Sequence, residues 1–279
     1  MQAVEQIVAR LSQHDDMAQQ IEQAMAGLDI NAPYTNRAQE EAGGQVIMTA
    51  GHKLSLDIVQ HPCATAATKL EGVKALLAHG LDINSRWREG RASCVVGATL
   101  LAAVLWLQGV KDDAKLELAR ALLDRGLQVN SESMERSTKA SSGTFILAGA
   151  INTSALQPQS KADLLSMMVE AGLDLNATCQ QGKDHSTTGS TLGGRIAAAP
   201  GISATHQVSM LTTLVRGGWR PARFAKSDLT RLSKAAAILC DPSLDPAALS
   251  AFQSAIALCA DEGDWTWTSK VKAGGSEST

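Results

Sequence analysis

The chain has 279 residues, 44% of them hydrophobic and 19% charged, an ordinary balance for a soluble globular protein. Its formal net charge of −3 lacks the basic excess of a general nucleic-acid binder. Five widely spread cysteines with no C-x-x-C pair exclude a disulfide scaffold or zinc module and point to a reducing cytoplasm.

The first ten residues carry Glu5 and no basic stretch leading into an apolar run, so no secretory leader is expected. Val4, Ile7, Val8, Leu11, Ile21 and Met25 predict one amphipathic helix over 2–26. Gly27-Leu28-Asp29-Ile30-Asn31 follows it, and this pentad recurs along the chain. It returns as Gly80-Leu81-Asp82-Ile83-Asn84, Gly126-Leu127-Gln128-Val129-Asn130 and Gly172-Leu173-Asp174-Leu175-Asn176, with glycines 46 apart (126−80 and 172−126). A further step of 46 reaches Gly218, before Trp219.

Each glycine ends an apolar stripe of helical period. Leu70, Val73, Leu76 and Leu77 precede Gly80, and Leu116, Ala119, Leu122 and Leu123 precede Gly126. Ala162, Leu165, Met168 and Val169 precede Gly172, and Val208, Leu211, Leu214 and Val215 precede Gly218. Glycine enters the left-handed conformation without steric cost, so each copy reads as helix, stop and tight turn. Upstream of each stripe a first helix is expected, opening near Lys53, Thr99, Thr144 and Thr191. The most apolar stretch, Ala98 to Leu107, is ten residues long, half of the roughly 20 a membrane span needs. Asp228 to Cys240 and Asp245 to Ala260 predict a final helix pair, and the polar tail from Thr268 is expected to be disordered.

Two helices and a turn, repeated, predict a stacked all-α solenoid. The stretch Glu71-Gly72-Val73-Lys74-Ala75-Leu76-Leu77-Ala78-His79-Gly80-Leu81-Asp82-Ile83-Asn84 resembles the second helix and turn of an ankyrin repeat. The resemblance covers roughly residues 50 to 220, with units of 46 rather than the usual length of about 33, and no proline follows Thr99, Thr144 or Thr191. It implies an ankyrin-like solenoid with helical caps. The expected segments are a cap, turn and first finger loop over 1–49, repeats over 50–226, capping helices over 227–267 and a tail over 268–279.

No catalytic or metal-ligating pattern emerges. His61-Pro62-Cys63 offers no third ligand, and Cys179, Asp184 and His185 fall in an expected loop. Gly189-Ser190-Thr191-Leu192-Gly193-Gly194-Arg195 lacks the G-K-[ST] ending of a phosphate loop and reads as a flexible finger running into a weak helix. Cys94 reads as a small core residue, and Trp265 and Trp267 as caps on the open end. No cofactor or metal is expected.

The connections after the glycine turns carry the functional expectation. Gly80 to Thr99 is 19 residues and Gly126 to Thr144 is 18, longer than usual in helical arrays. The first holds Arg86, Trp87, Arg88 and Arg91, the second Glu132, Glu135 and Arg136, and the third Lys183, Asp184 and His185. Trp and Arg dominate binding hot spots, so these fingers are the expected partner-binding residues and an acidic patch the expected target. The resemblance implies a non-enzymatic, monomeric binder or inhibitor of a cognate protein, of the bacterial immunity type. The alternatives are a secreted effector that binds a host protein and, behind it, an unrecognised enzyme. Neither nucleic acid nor membrane is an expected partner.

Overall fold

The structure, a computed structural model, describes residues 27–34, 46–62, 64–135, 137–182, 184–219, 245–247 and 249–250. The helices expected over 2–26 and 228–240, the end of the one expected over 245–260, and the tail with Trp265 and Trp267 lie outside the described residues. So do Cys63, Arg136, Lys183, Cys240 and Cys259.

The chain divides into two compact units, Met1–Ile146 with Thr153–Leu156, and Leu147–Asn152 with Gln157–Thr279. In the first, β1 (Pro33–Tyr34) and β2 (Val46–Thr49) lead into the helix pair α1 (Ala50–Gln60) and α2 (Ala66–Ala78). A hairpin of β3 (Arg86–Glu89) and β4 (Ala92–Val95) leads into α3 (Val96–Leu105) and α4 (Asp112–Asp124). A second hairpin, β5 (Glu132–Glu135) and β6 (Thr138–Ser141), leads into α5 (Ser142–Asn152), which begins in the first unit and ends in the second. The second unit continues with α6 (Pro158–Glu170), the hairpin β7 (Thr178–Gln181) and β8 (Asp184–Thr187), then α7 (Thr188–Ala198) and α8 (Ala204–Arg216).

The helix pairs expected between residues 50 and 220 are present, but the all-α class is not. The long connections are folded as antiparallel hairpins, so the protein is a mixed helix and sheet fold. Within the first unit, strands β1 to β6 pair antiparallel in chain order, with Ser93 opposite Met134 where one hairpin meets the next. The physical reason is a period of two in short polar-rich segments. Trp87 is half-buried between exposed Arg86 and Arg88; Ser133 and Cys179 take the buried place in the later hairpins. Gly90 and Gly182 begin two-residue loops at φ +57° and +61°, as the mirror-image turns that suit hairpins require.

The pentad works as a stop and as a staple. At Gly80 (φ +83°) the Leu81 N–H donates to Leu76 O at 3.2 Å and the Gly80 N–H to Leu77 O at 3.1 Å, satisfying the last carbonyls of α2. Asp82 Oδ1 then accepts from the Asn84 N–H at 3.0 Å. Asn84 reaches into the following repeat, where its Nδ2 donates to Gly126 O at 2.9 Å and its Oδ1 accepts from the Gln128 N–H at 2.9 Å. Asn31 binds Gly80 and Asp82 in the same way, and in the second unit Asn176 Nδ2 donates to Gly218 O at 2.9 Å.

A second glycine also recurs every 46 residues, at 51, 97, 143 and 189. The Gly97 N–H donates to Ile83 O at 2.8 Å, and a Cβ there would lie 2.9 Å from both Ile83 Cβ and Leu127 Cδ1. In the second unit, Gly189 and Gly193 make room for buried Trp219, whose ring a Cβ on Gly189 would meet at 2.2 Å. The glycine-rich stretch from Gly189 to Arg195 is therefore interior to α7 and is not a finger.

Buried amine or amide groups join three of the helix pairs. Lys115 Nζ donates to Leu105 O at 3.3 Å and Ala155 O at 2.6 Å, closing the end of α3. In the second unit Lys161 Nζ donates to Ile151 O and Gln207 Nε2 to Ile196 O, both at 2.9 Å. Burial pushes the Lys115 ammonium below its ordinary pKa, partly offset by Asp112.

Candidate functional site

The first unit holds a cavity of about 330 Å³ where the hairpins meet the helices. Strands β3 to β5 supply Trp87, Ala92, Ser93, Cys94, Ser133, Met134 and Glu135, while Ala98, Thr99 and Ala102 from α3 and Phe145 and Ile146 from α5 complete it. Most of this lining is apolar.

Trp87 is fixed on two sides. Its Nε1–H donates to Thr99 Oγ1 at 2.7 Å, and its ring lies 5.4 Å from the His52 ring at an interplanar angle of 37°. His52 is fully buried on α1 and neither ring nitrogen has a hydrogen-bond partner among the described residues. Burial lowers its pKa to about 4, so it is neutral near pH 7. The indole is thus anchored to the helical body while one side of it lines the cavity.

The other expected residues divide by what they touch. Arg86 Nη2 donates to Glu132 O of the neighbouring hairpin, and Glu132 pairs with Lys139 at 2.7 Å. Arg88 Nε donates to Gly90 O in its own turn at 3.3 Å, and Arg91 is exposed at the tip. Among the described residues, neither Arg88 nor Arg91 has a carboxylate within 4.0 Å. Glu135 is exposed and lines the cavity. In the second unit, His185 lies opposite Gln180 and Asp184 opposite Gln181, whereas buried Cys179 lies opposite Ser186. Cys179 and His185 therefore belong to opposite faces of that hairpin and form no nucleophile–base pair.

Sequence reasoning missed Met134, Phe145, Ala98 and Ala102, which give the cavity its apolar walls. It also placed Cys94 in a core. Cys94 is half-buried, lines the cavity, and has its Sγ 3.0 Å from Ser133 Oγ. That serine belongs to a hydroxyl network, with Ser142 Oγ 2.6 Å from Ser133 Oγ and 2.8 Å from Ser131 Oγ. The missed signal lies in the repeat itself. Forty-six residues after Trp87 stands Ser133, and forty-six after Thr99 stands Phe145, so one hairpin carries bulk where the next leaves space.

Among the described residues, no three His, Cys, Asp or Glu side chains gather into a metal-ligand cluster, and no helix is long and apolar enough to cross a membrane. In comparisons with known proteins the chain matches no family model, no curated protein and no solved structure.

Proposed function

We propose that this chain binds another protein through the hairpins and cavity of its first unit, as a binder or inhibitor of a cognate partner. The observation that carries the reading is an apolar cavity walled by Trp87, Met134 and Phe145, on a hairpin whose opposite face and tip expose Arg88 and Arg91. Tryptophan and arginine are the residue types most enriched at interface hot spots. The helix pairs and their glycine turns support a relationship to ankyrin-like repeats, here with hairpins in place of long loops. Free Cys94 and Cys179 fit a reducing, cytoplasmic setting.

The test is capture with the immobilised full chain, comparing wild type with Arg88→Glu/Arg91→Glu. A specific partner held by wild type should bind the variant more weakly by roughly 2 kcal/mol or more, about thirtyfold in Kd. Partners that bind both proteins equally would place the interface elsewhere or remove the reading.

A further inference from the structure

His52 and Trp87 are a pair of rings that the next repeat replaces with small side chains. Forty-six residues on, Ala98 stands for His52 and Ser133 for Trp87 (98−52 and 133−87), and both line the cavity. Within the β3–β4 hairpin, Arg86 to Glu89 pair with Val95 to Ala92. Sideways, β3 meets β2 at Val46 and Ile47, and β4 meets β5 at Ser93. The hairpin can therefore move as a unit, and two contacts hold Trp87 inward. One is the indole N–H donated to Thr99 Oγ1 at 2.7 Å; the other is the His52 ring at 5.4 Å. That imidazole is fully buried, with neither nitrogen hydrogen-bonded among the described residues. It sits in the first turn of α1, its backbone N–H donating to Thr49 Oγ1 at 3.2 Å, where the helix dipole opposes a cation.

We infer that His52 and Trp87 form an acid-sensitive latch: a proton on His52 frees the β3–β4 hairpin from the helices and opens the cavity beside it. The imidazolium would bury a charge and two N–H donors with no acceptor among the described residues. Attraction to the indole face recovers part of that cost, but the unpaired donors and lost hydration outweigh it. The elements packed against α1 carry few titratable groups. These are Lys69, Glu71 and Lys74 on α2, Tyr34 on β1, and Arg86, Arg88 and Glu89 on β3, with none on α3 or β2. On α1 itself Lys53 pairs with Asp57, and His61 closes the far end. Burial, not a neighbouring charge, lowers the His52 pKa from 6.5 to about 4. Once the hairpin opens, His52 is solvated and binds its proton at the ordinary value, so acid favours the open form. The opening equilibrium should rise about thirtyfold from about pH 7.5 to about pH 5 and level off below about pH 4.

The experiment is hydrogen exchange of the full chain followed by NMR, with the Trp87 Nε1–H as reporter, assigned by its absence from Trp87→Phe. Corrected for the rate of free indole, its protection should fall about thirtyfold from about pH 7.5 to about pH 5. The Leu101 N–H in the buried core of α3 reports global unfolding, and at about pH 5 it should stay better protected than Trp87 by about tenfold or more. In His52→Leu, which takes no proton, Trp87 protection should hold within about twofold over the same range. Equal protection of Trp87 and Leu101 would show that the hairpin opens only by unfolding and would overturn the latch. So would pH-independent protection of Trp87 in wild type, or the wild-type fall in folded His52→Leu. Should that variant fail to fold, the two wild-type comparisons decide. The latch stands on His52 and Trp87 alone, while its effect on a partner rests on the binding reading above. A captured partner held equally at both pH values while the hairpin opens would remove the cavity as the interface and leave the latch standing.

Discussion

The turn at Gly80–Asn84 and the hairpin at Arg86–Val95 are neighbours in the chain, yet they recur differently. The turn returns almost letter for letter, because each of its polar and glycine positions is mechanically fixed. The glycine supplies left-handed backbone, the Asp closes a local turn and the Asn staples the next repeat. The hairpin returns in shape with other side chains, Arg-Trp-Arg-Glu giving way to Glu-Ser-Met-Glu and then Thr-Cys-Gln-Gln. Stability demands nearly the same residues at each turn. A hairpin needs only an inward position every second residue, which Trp87, Ser133 and Cys179 all satisfy. The size of that inward residue is free to differ, and the cavity lies where Trp87 in one hairpin gives way to Ser133 in the next.

The largest expected effect concerns the point where hairpin and body meet. His52 packs against Trp87 and is held neutral, its pKa lowered from 6.5 to about 4. The unfolded chain takes up a proton between those values that the fold excludes. Stability should therefore fall as pH drops from about 6.5 toward about 4, by on the order of 3 kcal/mol. Urea melts of wild type and His52→Leu across that range should diverge, the variant having the shallower slope. Parallel slopes would show that the imidazole is solvated and that Trp87 is not anchored as described.

The next effect belongs to the repeated body. Gly97→Ala would place a Cβ 2.9 Å from Ile83 Cβ and Leu127 Cδ1 and 3.1 Å from Ile83 O. Because backbone is among the obstacles, an overpacking cost of about 2 kcal/mol is expected by chemical denaturation. A neutral substitution would mean that the turn and the following helix start do not approach so closely. Gly126→Val meets nothing within 4 Å but must adopt φ +81°, so its cost is conformational, about 1–2 kcal/mol.

The helices and turns were legible in the sequence because a 3.6-residue apolar stripe and a stop glycine are long, redundant signals. The hairpins were not read, since their strands are four residues each and their inward positions include Ser133 and Ala140 rather than bulky apolar groups. A warning was present: 18 or 19 residues between Gly80 and Thr99 or Gly126 and Thr144 is long for a structureless connection. Gly193 looked like a flaw in a helix, because only the fold shows that Trp219 occupies the space beside it. Of the candidate site, the sequence singled out Trp87 and its arginines, which stand out by residue type. Met134 and Phe145 became visible only once the hairpins stood against α3 and α5.

That division of labour can be measured in one paired experiment, with melting temperature and partner affinity recorded for Gly126→Val and for Arg88→Glu/Arg91→Glu. The turn variant should melt lower yet, while folded, keep its affinity. The hairpin variant should keep its melting temperature close to wild type, a stability change within about 0.5 kcal/mol as exposed substitutions show, and lose affinity about thirtyfold. Loss of affinity by the turn variant while it is still folded, or full affinity in the arginine variant, would contradict the account.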